Sequence, residues 1–389
     1  MSKLGEVCTL FSGTGFPVEY QGSTIGKYPF YKVGDIAKNV MQGFVFLTLC
    51  DNYIDEDICK LIKGKVIPEN TIVFAKIGEA VKLNRRAITT VSCLIDNNVM
   101  GIKPNETILN LRYFYHFMCN LKLEEYAEVT TVPSVKKTII EKIEIPLLTI
   151  EEQKKIATNL DKVTHTIDLC NQIIEKLDLL VKARFVEMFG DPVSNPMSWQ
   201  TKPLLSIGKC KNGMNFHYDD NGVEINCLGV GDFKDLSIIT DTSALPKISL
   251  NEMPTDEYLL KNNDIVFVRS NGNKALVGRS LAVYPDDIPT TFSGFCIRFR
   301  KDDDSILIPY LLRVLKTDSI RKKMAGRGAN IQNLNQQILS TLEIPVPPLE
   351  LQQKFADFIK QTEKSKSAVK KVLEKAETLK KALMQEYFG

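Results

Sequence analysis

Two long stretches of the chain carry apolar residues at the spacing expected of a long amphipathic helix. The later stretch, from Glu350 to Phe388, contains neither proline nor glycine, and Pro345, Pro347 and Pro348 stand just ahead of it. Because proline is tolerated before a helix but not inside one, these prolines mark where the helix should start. With Phe355 at position a of a heptad, seven of the nine a and d positions are apolar. This spacing predicts a coiled-coil seam.

The earlier stretch repeats the later one, so the chain contains an internal duplication. Residues 144–190 match residues 343–389 at a constant displacement of 199, the difference between 389 and 190. Two equal helices with matching seams are expected to pair with each other as an antiparallel coiled coil with pseudo-twofold symmetry. The residues predicted to form the pairing face are Ile156, Val163, Ile173, Leu177, Leu180, Phe355, Val369, Val372, Leu379 and Leu383.

The segment ahead of each helix is also duplicated, although more weakly. Ile72-Val73-Phe74 corresponds to Ile265-Val266-Phe267 at a displacement of 193, whereas Gly13 corresponds to Gly213 at 200. Loops of unequal length explain this drift. The chain is therefore predicted to contain a first globular domain at 1–143, a helical spacer at 144–190, a second globular domain at 191–342 and a second spacer at 343–389.

The globular domains mix two kinds of hydrophobic pattern. Short β-branched and aromatic runs at Ile72 to Phe74, Ile265 to Val268 and Phe295 to Phe299 predict strands, while Leu111 to Leu123 and Pro309 to Lys316 have helical spacing. The predicted fold class is α+β, in two tandem copies.

Composition is that of an ordinary globular protein. Of 389 residues, 44% are hydrophobic and 25% are charged, and the net charge is +3. No apolar run approaches the roughly 20 residues that span a bilayer, and the residues after Met1 lack the apolar stretch of a signal peptide, so we expect a cytoplasmic location. Nine cysteines occur without any C-x-x-C pair, which favours reduced thiols over disulfides or zinc.

The sequence contains only weak matches to the motifs of catalytic sites. Phe11-Ser12-Gly13-Thr14-Gly15 has the F-x-G-x-G form of a methyl-donor loop, but its counterpart keeps only Gly213, so a shared turn explains both. Asn195-Pro196-Met197 lacks the second proline and the aromatic residue of a methyltransferase catalytic motif. No metal or triad pattern surrounds the three scattered histidines, His116, His165 and His217. We therefore expect a chain that binds without catalysis and holds no metal.

The order of a variable half, a helix start rich in proline and glutamine, and a second such pair resembles the specificity subunit of a type I restriction-modification enzyme. The segments that carry the resemblance are Ile145-Pro146-Leu147-Leu148-Thr149-Ile150-Glu151-Glu152-Gln153-Lys154-Lys155-Ile156 and Ile344-Pro345-Val346-Pro347-Pro348-Leu349-Glu350-Leu351-Gln352-Gln353-Lys354-Phe355. The resemblance covers essentially the whole chain.

The resemblance implies two target-recognition domains that each read one half of a bipartite site in double-stranded DNA. It implies that the helices dock DNA methyltransferase (modification) subunits, expected to be two, and through them restriction/translocase subunits. It also implies that S-adenosylmethionine binds to the methyltransferase subunits and that this chain binds no cofactor. Two other functions stay open at this point: a DNA methyltransferase with fused recognition domains, and a coiled-coil scaffold that binds only protein.

In each half an apolar strand is predicted to run into a basic residue and then a glycine-containing loop. Arginine can bind guanine bidentately and asparagine can bind adenine, so these loops are candidates for base reading. The predicted residues are Lys76, Lys82, Asn84, Arg85 and Arg86 in the first half and Arg269, Asn271, Asn273, Lys274 and Arg279 in the second. A second loop in each half is a candidate for phosphate contacts, through Lys136, Lys137, Arg327 and Asn330. A solvated loop is the competing interpretation for both.

Overall fold

The computed structural model describes residues 1–128, 132–216, 221–233, 238–325 and 333–389. The chain divides into two compact units, Met1–Ile173 with Val369–Gly389, and Ile174–Ala368. Each unit therefore combines one globular domain with a portion of both long helices.

The first unit contains both strands and helices, as predicted. Its strands are β1 (Ser2–Lys3), β2 (Cys8–Ser12), β3 (Tyr28–Tyr31), β4 (Tyr53–Ile54), β5 (Ile72–Ala75), β6 (Arg86–Ile88), β7 (Leu94–Ile95), β8 (Val99–Pro104) and β9 (Glu144–Ile145). Its helices are α1 (Leu4–Val7), α2 (Val33–Met41), α3 (Glu56–Leu61), α4 (Leu111–Asn120), α5 (Lys137–Ile140) and the first part of α6 (Ile150–Phe189).

Two sheets form the body of this unit. The larger is antiparallel with strand order β2-β8-β5-β6, and the smaller has the order β4-β3-β7 with β3 and β7 parallel. All four residues of β5 are buried, which is why this run lacks the alternation of an exposed strand. Strand β1 pairs with β9, so the first residues of the chain join the strand that leads into α6.

The second unit follows the same plan. Its strands are β10 (Thr201–Pro203), β11 (Gly208–Asn212), β12 (Val223–Leu228), β13 (Ile238–Ile239), β14 (Lys247–Leu250), β15 (Asp264–Val268), β16 (Ser280–Val283), β17 (Thr290–Phe292), β18 (Cys296–Lys301) and β19 (Glu343–Pro345). Its helices are α7 (Ile308–Leu315), α8 (Asp318–Ala325), α9 (Gln336–Ser340) and the first part of α10 (Leu349–Phe388).

Strand order shows the duplication directly. The sheet β11-β18-β15-β16-β13 repeats β2-β8-β5-β6 with one added edge strand, β14-β12-β17 repeats β4-β3-β7, and β10 pairs with β19 as β1 pairs with β9. The prediction of two tandem α+β domains, each followed by a long helix, is confirmed.

A buried glutamine fixes the start of each long helix. Gln153 accepts a hydrogen bond from the Asn110 N–H at 2.7 Å and donates to Ile108 O and Leu148 O at 2.9 and 2.8 Å. Gln352 makes the same three contacts, accepting from the Leu307 N–H at 2.8 Å and donating to the carbonyl oxygens of Ser305 and Pro347 at 2.9 and 2.8 Å. Both side chains are fully buried, so they satisfy backbone groups that water cannot reach.

The long helices run antiparallel in each unit. In the first unit the start of α6, at Ile156 and Leu160, shares a core with the end of α10, at Leu383 and Phe388. In the second unit the end of α6 meets the start of α10, where the Phe185 ring lies 5.5 Å from the Phe355 ring. The prediction of antiparallel pairing is confirmed.

The predicted register of the pairing face is wrong at three of its ten positions. Leu180, Val372 and Leu379 are each 49% exposed. The half-buried residues are their next neighbours along the chain, including Val181 and Leu373. The other predicted positions, which are buried or half-buried, are Ile156, Val163, Ile173, Leu177, Phe355, Val369 and Leu383.

The physical reason is an ambiguity in the heptad frame. Placing Phe355 at position a or at position d leaves every seventh residue from Phe355 in the seam, but moves the residues between them by one position. When Phe355 is placed at position d, Lys366 lies in the seam, and fewer of the seam residues are apolar than when Phe355 is placed at position a. Its aliphatic stem is buried, and its ammonium group reaches Asp178 at 2.6 Å.

Candidate nucleic-acid interface

The basic residue that follows the central strand has the same backbone environment in both units. Lys76 follows β5 and Arg269 follows β15, and both are partly exposed. The Lys76 N–H donates to Asn98 O at 2.9 Å, and the Arg269 N–H donates to Phe295 O at 2.7 Å. Each unit therefore presents one cation at an equivalent place on its sheet.

The second candidate loop lies against the first. The Val135 N–H donates to Lys76 O at 2.8 Å, and in the second unit the Leu334 N–H donates to Arg269 O, also at 2.8 Å. In the first unit the two candidate loops thus form a single surface, and in the second unit Leu334 holds the equivalent place beside Arg269.

In the first unit this surface contains a cleft of about 420 Å³. Three predicted residues, Lys76, Lys136 and Lys137, line it. The ammonium groups of Lys136 and Lys137 pair with Glu128 at 2.6 Å and Glu141 at 3.6 Å, and all four side chains are at least 36% exposed. Ion pairs this exposed contribute little in water, so a phosphate oxygen can take the place of either carboxylate.

The structure corrects two of the predicted DNA contacts in this unit. Asn84 has a positive φ of 53°, and its amide group donates to Cys119 O at 3.1 Å. Arg86 is only 2% exposed, and its guanidinium donates to Leu121 O at 3.0 Å. Burial lowers the pKa of Arg86 to about 10, which leaves it charged at neutral pH. Both side chains brace the segment after α4, and neither is presented to a ligand.

The reason for this error is local. Asn84, Arg85 and Arg86 were interpreted as one polar loop, but β6 already begins at Arg86, where every residue is buried. Lys82 is exposed and pairs with Glu79 at 2.9 Å. Arg85 is partly exposed. For Lys82 and Arg85 a DNA contact stays a prediction.

The loop after β15 in the second unit is held by its own asparagines. Asn271 accepts from the Asn273 N–H at 2.7 Å, and Asn273 accepts from the Ala275 N–H at 3.1 Å. These local bonds shape the loop between Asn271 and Ala275. Arg327, Asn330 and the side chain of Lys274 lie outside the part of the chain that the structure describes.

Arg279 belongs to a group of cations. It is partly buried, and its carbonyl oxygen accepts from the Val268 N–H at 2.9 Å. Burial, helped by the nearby positive charges of Arg313 and Arg279, lowers the pKa of Lys316 to about 8. Arg279 is therefore close to other positive charges, and its contact with DNA stays a prediction.

Two residues at this surface were missed from the sequence. Asn98 and Phe295 are exposed at the tip of the turn before β8 and β18. In the first unit the Asp96 carboxylate accepts from the Asn98 N–H at 2.8 Å, and in the second the Ser293 hydroxyl accepts from the Phe295 N–H at 3.3 Å. Phe295 had been assigned to a strand, but β18 begins one residue later. The sequence held no signal for this pair, because the residues around Asn98 and Phe295 differ between the two halves.

The glycine-containing run at residues 11–15 is explained by packing. A Cβ on Gly13 would overlap the carbonyl of Asp96, and a Cβ on Gly213 would overlap the carbonyl of Ser293. Glycine permits this close backbone approach in both units. The shared need is thus a close contact with the turn before β8 or β18, and not a turn at the glycine itself, as the sequence suggested.

Among the described residues, no group of three or more His, Cys, Asp or Glu side chains is arranged to hold a metal ion. No helix in the described ranges combines the length and apolar character needed to cross a membrane.

Comparison with known proteins gives relatives along the whole chain. The StySPI specificity subunit of a type I restriction enzyme from Salmonella potsdam is 24% identical, with 82% of this chain and 73% of the relative aligned. The MjaVIII specificity subunit from Methanocaldococcus jannaschii is also 24% identical, with 98% and 90% aligned.

Solved structures share the fold. The type I restriction-modification S subunit from M. genitalium superposes with a TM-score of 0.59 at 16% identity, covering 100% of this chain and 95% of that one. A chain from a structural study of type I restriction-modification assembly superposes with a TM-score of 0.60 at 17% identity, covering 99% and 96%.

The model of the type I restriction modification DNA specificity domain matches residues 1–179 and again residues 196–379. The chain belongs to this family, as a tandem pair of DNA specificity domains.

Proposed function

We propose that this chain is the non-catalytic specificity subunit of a type I restriction-modification system, in which each globular domain reads one half of a bipartite site in double-stranded DNA. One observation carries the proposal. The same backbone framework presents Lys76 in one unit and Arg269 in the other, within a chain that belongs to the DNA specificity family. One framework with different side chains is what two different half-sites require.

The candidate DNA contacts are of two chemical kinds, contacts to base edges and contacts to phosphates. Arg269 and Asn271 carry groups that match base edges in the major groove. Lys136 and Lys137 are exposed cations on flexible stems, which suit phosphate oxygens and add affinity without sequence information. We therefore assign base reading to the strand-end loop and phosphate contact to the loop beside it.

The long helices carry a second repeated surface that supports partner docking. Eight residues of α6 are identical to the residues 199 positions later on α10 and are exposed in both copies. Five of them lie within nine consecutive residues, and we call these the repeated helix patch: Glu175, Lys176, Leu180, Lys182 and Ala183 on α6 and Glu374, Lys375, Leu379, Lys381 and Ala382 on α10. Core packing does not explain identity at exposed positions. A partner that binds both copies in the same way does.

This patch argues for two identical partners on each chain. Leu180 and Leu379 are each 49% exposed, and an exposed leucine flanked by charged residues is typical of a docking surface. The proposed occupants are two DNA methyltransferase subunits, which in turn connect to restriction/translocase subunits. The methyl donor S-adenosylmethionine would bind to those methyltransferase subunits. Because the ligand is DNA, we assign the activity to the cytoplasm.

Methylation mapping tests the recognition part of the proposal. The full chain is assembled with its methyltransferase subunits and supplied with a labelled methyl donor and genomic DNA. We expect one bipartite modified sequence from the complex and no label from the chain alone. Methylation by the chain alone would show that it is a methyltransferase with fused recognition domains. Absence of DNA binding in every assembly would favour a protein-only scaffold.

Docking is tested through the repeated helix patch. Leu180→Asp and Leu379→Asp should each reduce the number of bound methyltransferase subunits from two to one, measured by native mass spectrometry, and the double variant should bind none. Asn171→Asp is the control, because it places the same charge on an exposed position of α6 outside the patch. Circular dichroism confirms that each variant keeps its helices. Two bound subunits on the folded double variant would reject this surface.

A further inference from the structure

The turn before β18 is held rigidly beside Arg269 in the second unit. The Gly294 N–H donates to Met214 O at 2.6 Å, the Cys296 N–H donates to Ser293 O at 2.8 Å, and the Arg269 N–H donates to Phe295 O at 2.7 Å. The guanidinium of Arg269 adds a longer bond of 3.3 Å to Gly294 O. Backbone bonds to two neighbouring segments therefore fix the position of the residue at the tip.

The side chain at the tip takes no part in this framework. Phe295 is 61% exposed, although both residues that follow it, Cys296 and Ile297, are fully buried. The bonds that hold the turn in place are made by the backbone and by the side chains of Ser293, Arg269 and Cys296. The phenyl ring is thus an apolar surface that the fold displays beside Arg269 without needing it for stability.

The equivalent turn in the first unit displays a different side chain from the same framework. Asn98 is exposed where Phe295 is exposed, and Lys76 stands where Arg269 stands. The Lys76 N–H bonds to Asn98 O as the Arg269 N–H bonds to Phe295 O. A position that keeps its backbone and changes its side chain between two copies is suited to setting specificity.

We propose that the tip of this turn is a base-reading position in both recognition domains, and that Phe295 packs against the 5-methyl group of a thymine. This inference rests on the proposed DNA-reading function and names a contact within it. In the major groove, thymine alone among the four bases carries a methyl group, and apolar side chains recognise it by contact. At the same place in the first domain, the amide of Asn98 suits the hydrogen-bonding edge of adenine.

The test removes the methyl group from the DNA. The methylated site is first mapped for the complex of the full chain with its methyltransferase subunits, and the half-site that changes in Arg269→Ala is assigned to the second domain. Duplexes are then made in which each thymine of that half-site is replaced in turn by deoxyuridine. For the wild-type complex, one replacement should weaken binding about fourfold, the effect of one buried methyl group. In Phe295→Ala the same replacement should have no effect.

Control variants show whether the deoxyuridine effect depends on Phe295. Val193→Ala, which trims an exposed apolar side chain elsewhere in the same unit, should keep the full deoxyuridine effect. Asn98→Ala should also keep it, while relaxing the choice of base in the other half-site. An equal deoxyuridine effect in Phe295→Ala and wild type would overturn the contact, as would a second half-site without any A·T pair. If mapping of the wild-type complex found no bipartite site, the proposed function itself would be overturned.

Discussion

At the end of the central strand, the first unit presents Lys76 and Asn98 where the second presents Arg269 and Phe295. The backbone bonds that hold these residues are equivalent, so the difference lies in the side chains. The long helices show the reverse, because the repeated helix patch keeps its side chains identical on an exposed surface. A surface that varies between copies is suited to two different ligands, and a surface that does not vary is suited to two identical ones.

The two units also differ in how the globular domain is fixed to the long helix. In the first unit the Asp161 carboxylate on α6 accepts hydrogen bonds from Arg112 and, at 2.7 Å, contacts His116 on α4. The equivalent residues in the second unit are Lys360, Pro309 and Arg313, which cannot form this cluster. This cluster, which we call the ionic anchor of the first unit, is therefore not repeated by the equivalent residues of the second unit.

The largest expected effect concerns the buried glutamine at the start of each long helix, which the two units share. Gln153→Ala leaves three buried backbone groups without a hydrogen bond, so it should lower the free energy of unfolding by about 3 kcal/mol. Gln352→Ala should cost a similar amount, because its three contacts are the same. Chemical denaturation followed by circular dichroism measures both. Gln353→Ala is the control, since this side chain is exposed and bonds only to Asp357. Unequal losses in the two glutamine variants would contradict the equivalence.

The next effect concerns the basic residue after the central strand, which differs between the two units. Arg269→Ala should weaken discrimination in one half-site by about 2 kcal/mol, or roughly thirtyfold, because a bidentate contact to a base is lost. Methylated-site mapping shows which half-site relaxes. Lys76→Ala should alter the opposite half-site. Relaxation of both half-sites by either variant would mean that the two surfaces do not read DNA independently.

A smaller effect concerns the ionic anchor of the first unit. Asp161→Asn removes the charge that Arg112 and His116 contact, and should cost about 1.5 kcal/mol of stability near neutral pH. Hydrogen exchange should show faster opening of α4 in the first unit and no change in the second. Lys360→Gln, the equivalent change in the second unit, should have little effect.

The pH dependence of this anchor follows from the pKa of Asp161. Burial alone would raise that pKa, but hydrogen bonds from His116 and Arg112 lower it to about 2. A carboxylate with a lowered pKa stabilises the folded state above its unfolded pKa of about 3.9. The difference between wild type and Asp161→Asn should therefore persist down to about pH 4 and shrink as the pH falls towards 2. A difference that instead disappears between pH 8 and 6 would assign it to another group.

The sequence predicted the architecture because the duplication is visible without a structure. A displacement of 199 across 47 matched residues identified the long helices, and proline placed their starts close to Ile150 and Leu349. Buried runs such as Ile72 to Phe74 identified the central strands, since a strand covered on both faces is continuously apolar.

Side-chain orientation could not be predicted in the same way. Arg86 appeared to be part of a polar loop, yet it points into the core from the first position of β6. The predicted heptad frame left Lys366 outside the helix seam, yet its side chain is only 16% exposed and its charge reaches Asp178. In both residues a long aliphatic stem lets a charged side chain occupy an apolar place. Phe295 was misplaced by one residue, and at a strand boundary one residue separates the core from the surface.

The smallest expected effect separates phosphate contacts from base contacts within the first unit. If Lys137 contacts a phosphate, Lys137→Ala should leave the methylated sequence unchanged and reduce the slope of log affinity against log salt concentration by about 0.9, the value for one released counterion. Fluorescence anisotropy at several salt concentrations gives this slope. Glu141→Gln provides the matched control, because it removes the exposed carboxylate that pairs with Lys137 at 3.6 Å and keeps the cation. Binding should then stay equal or become slightly tighter, since Lys137 loses a weak competitor for DNA. A changed sequence in Lys137→Ala would move this lysine from the phosphate-contacting set to the base-reading set.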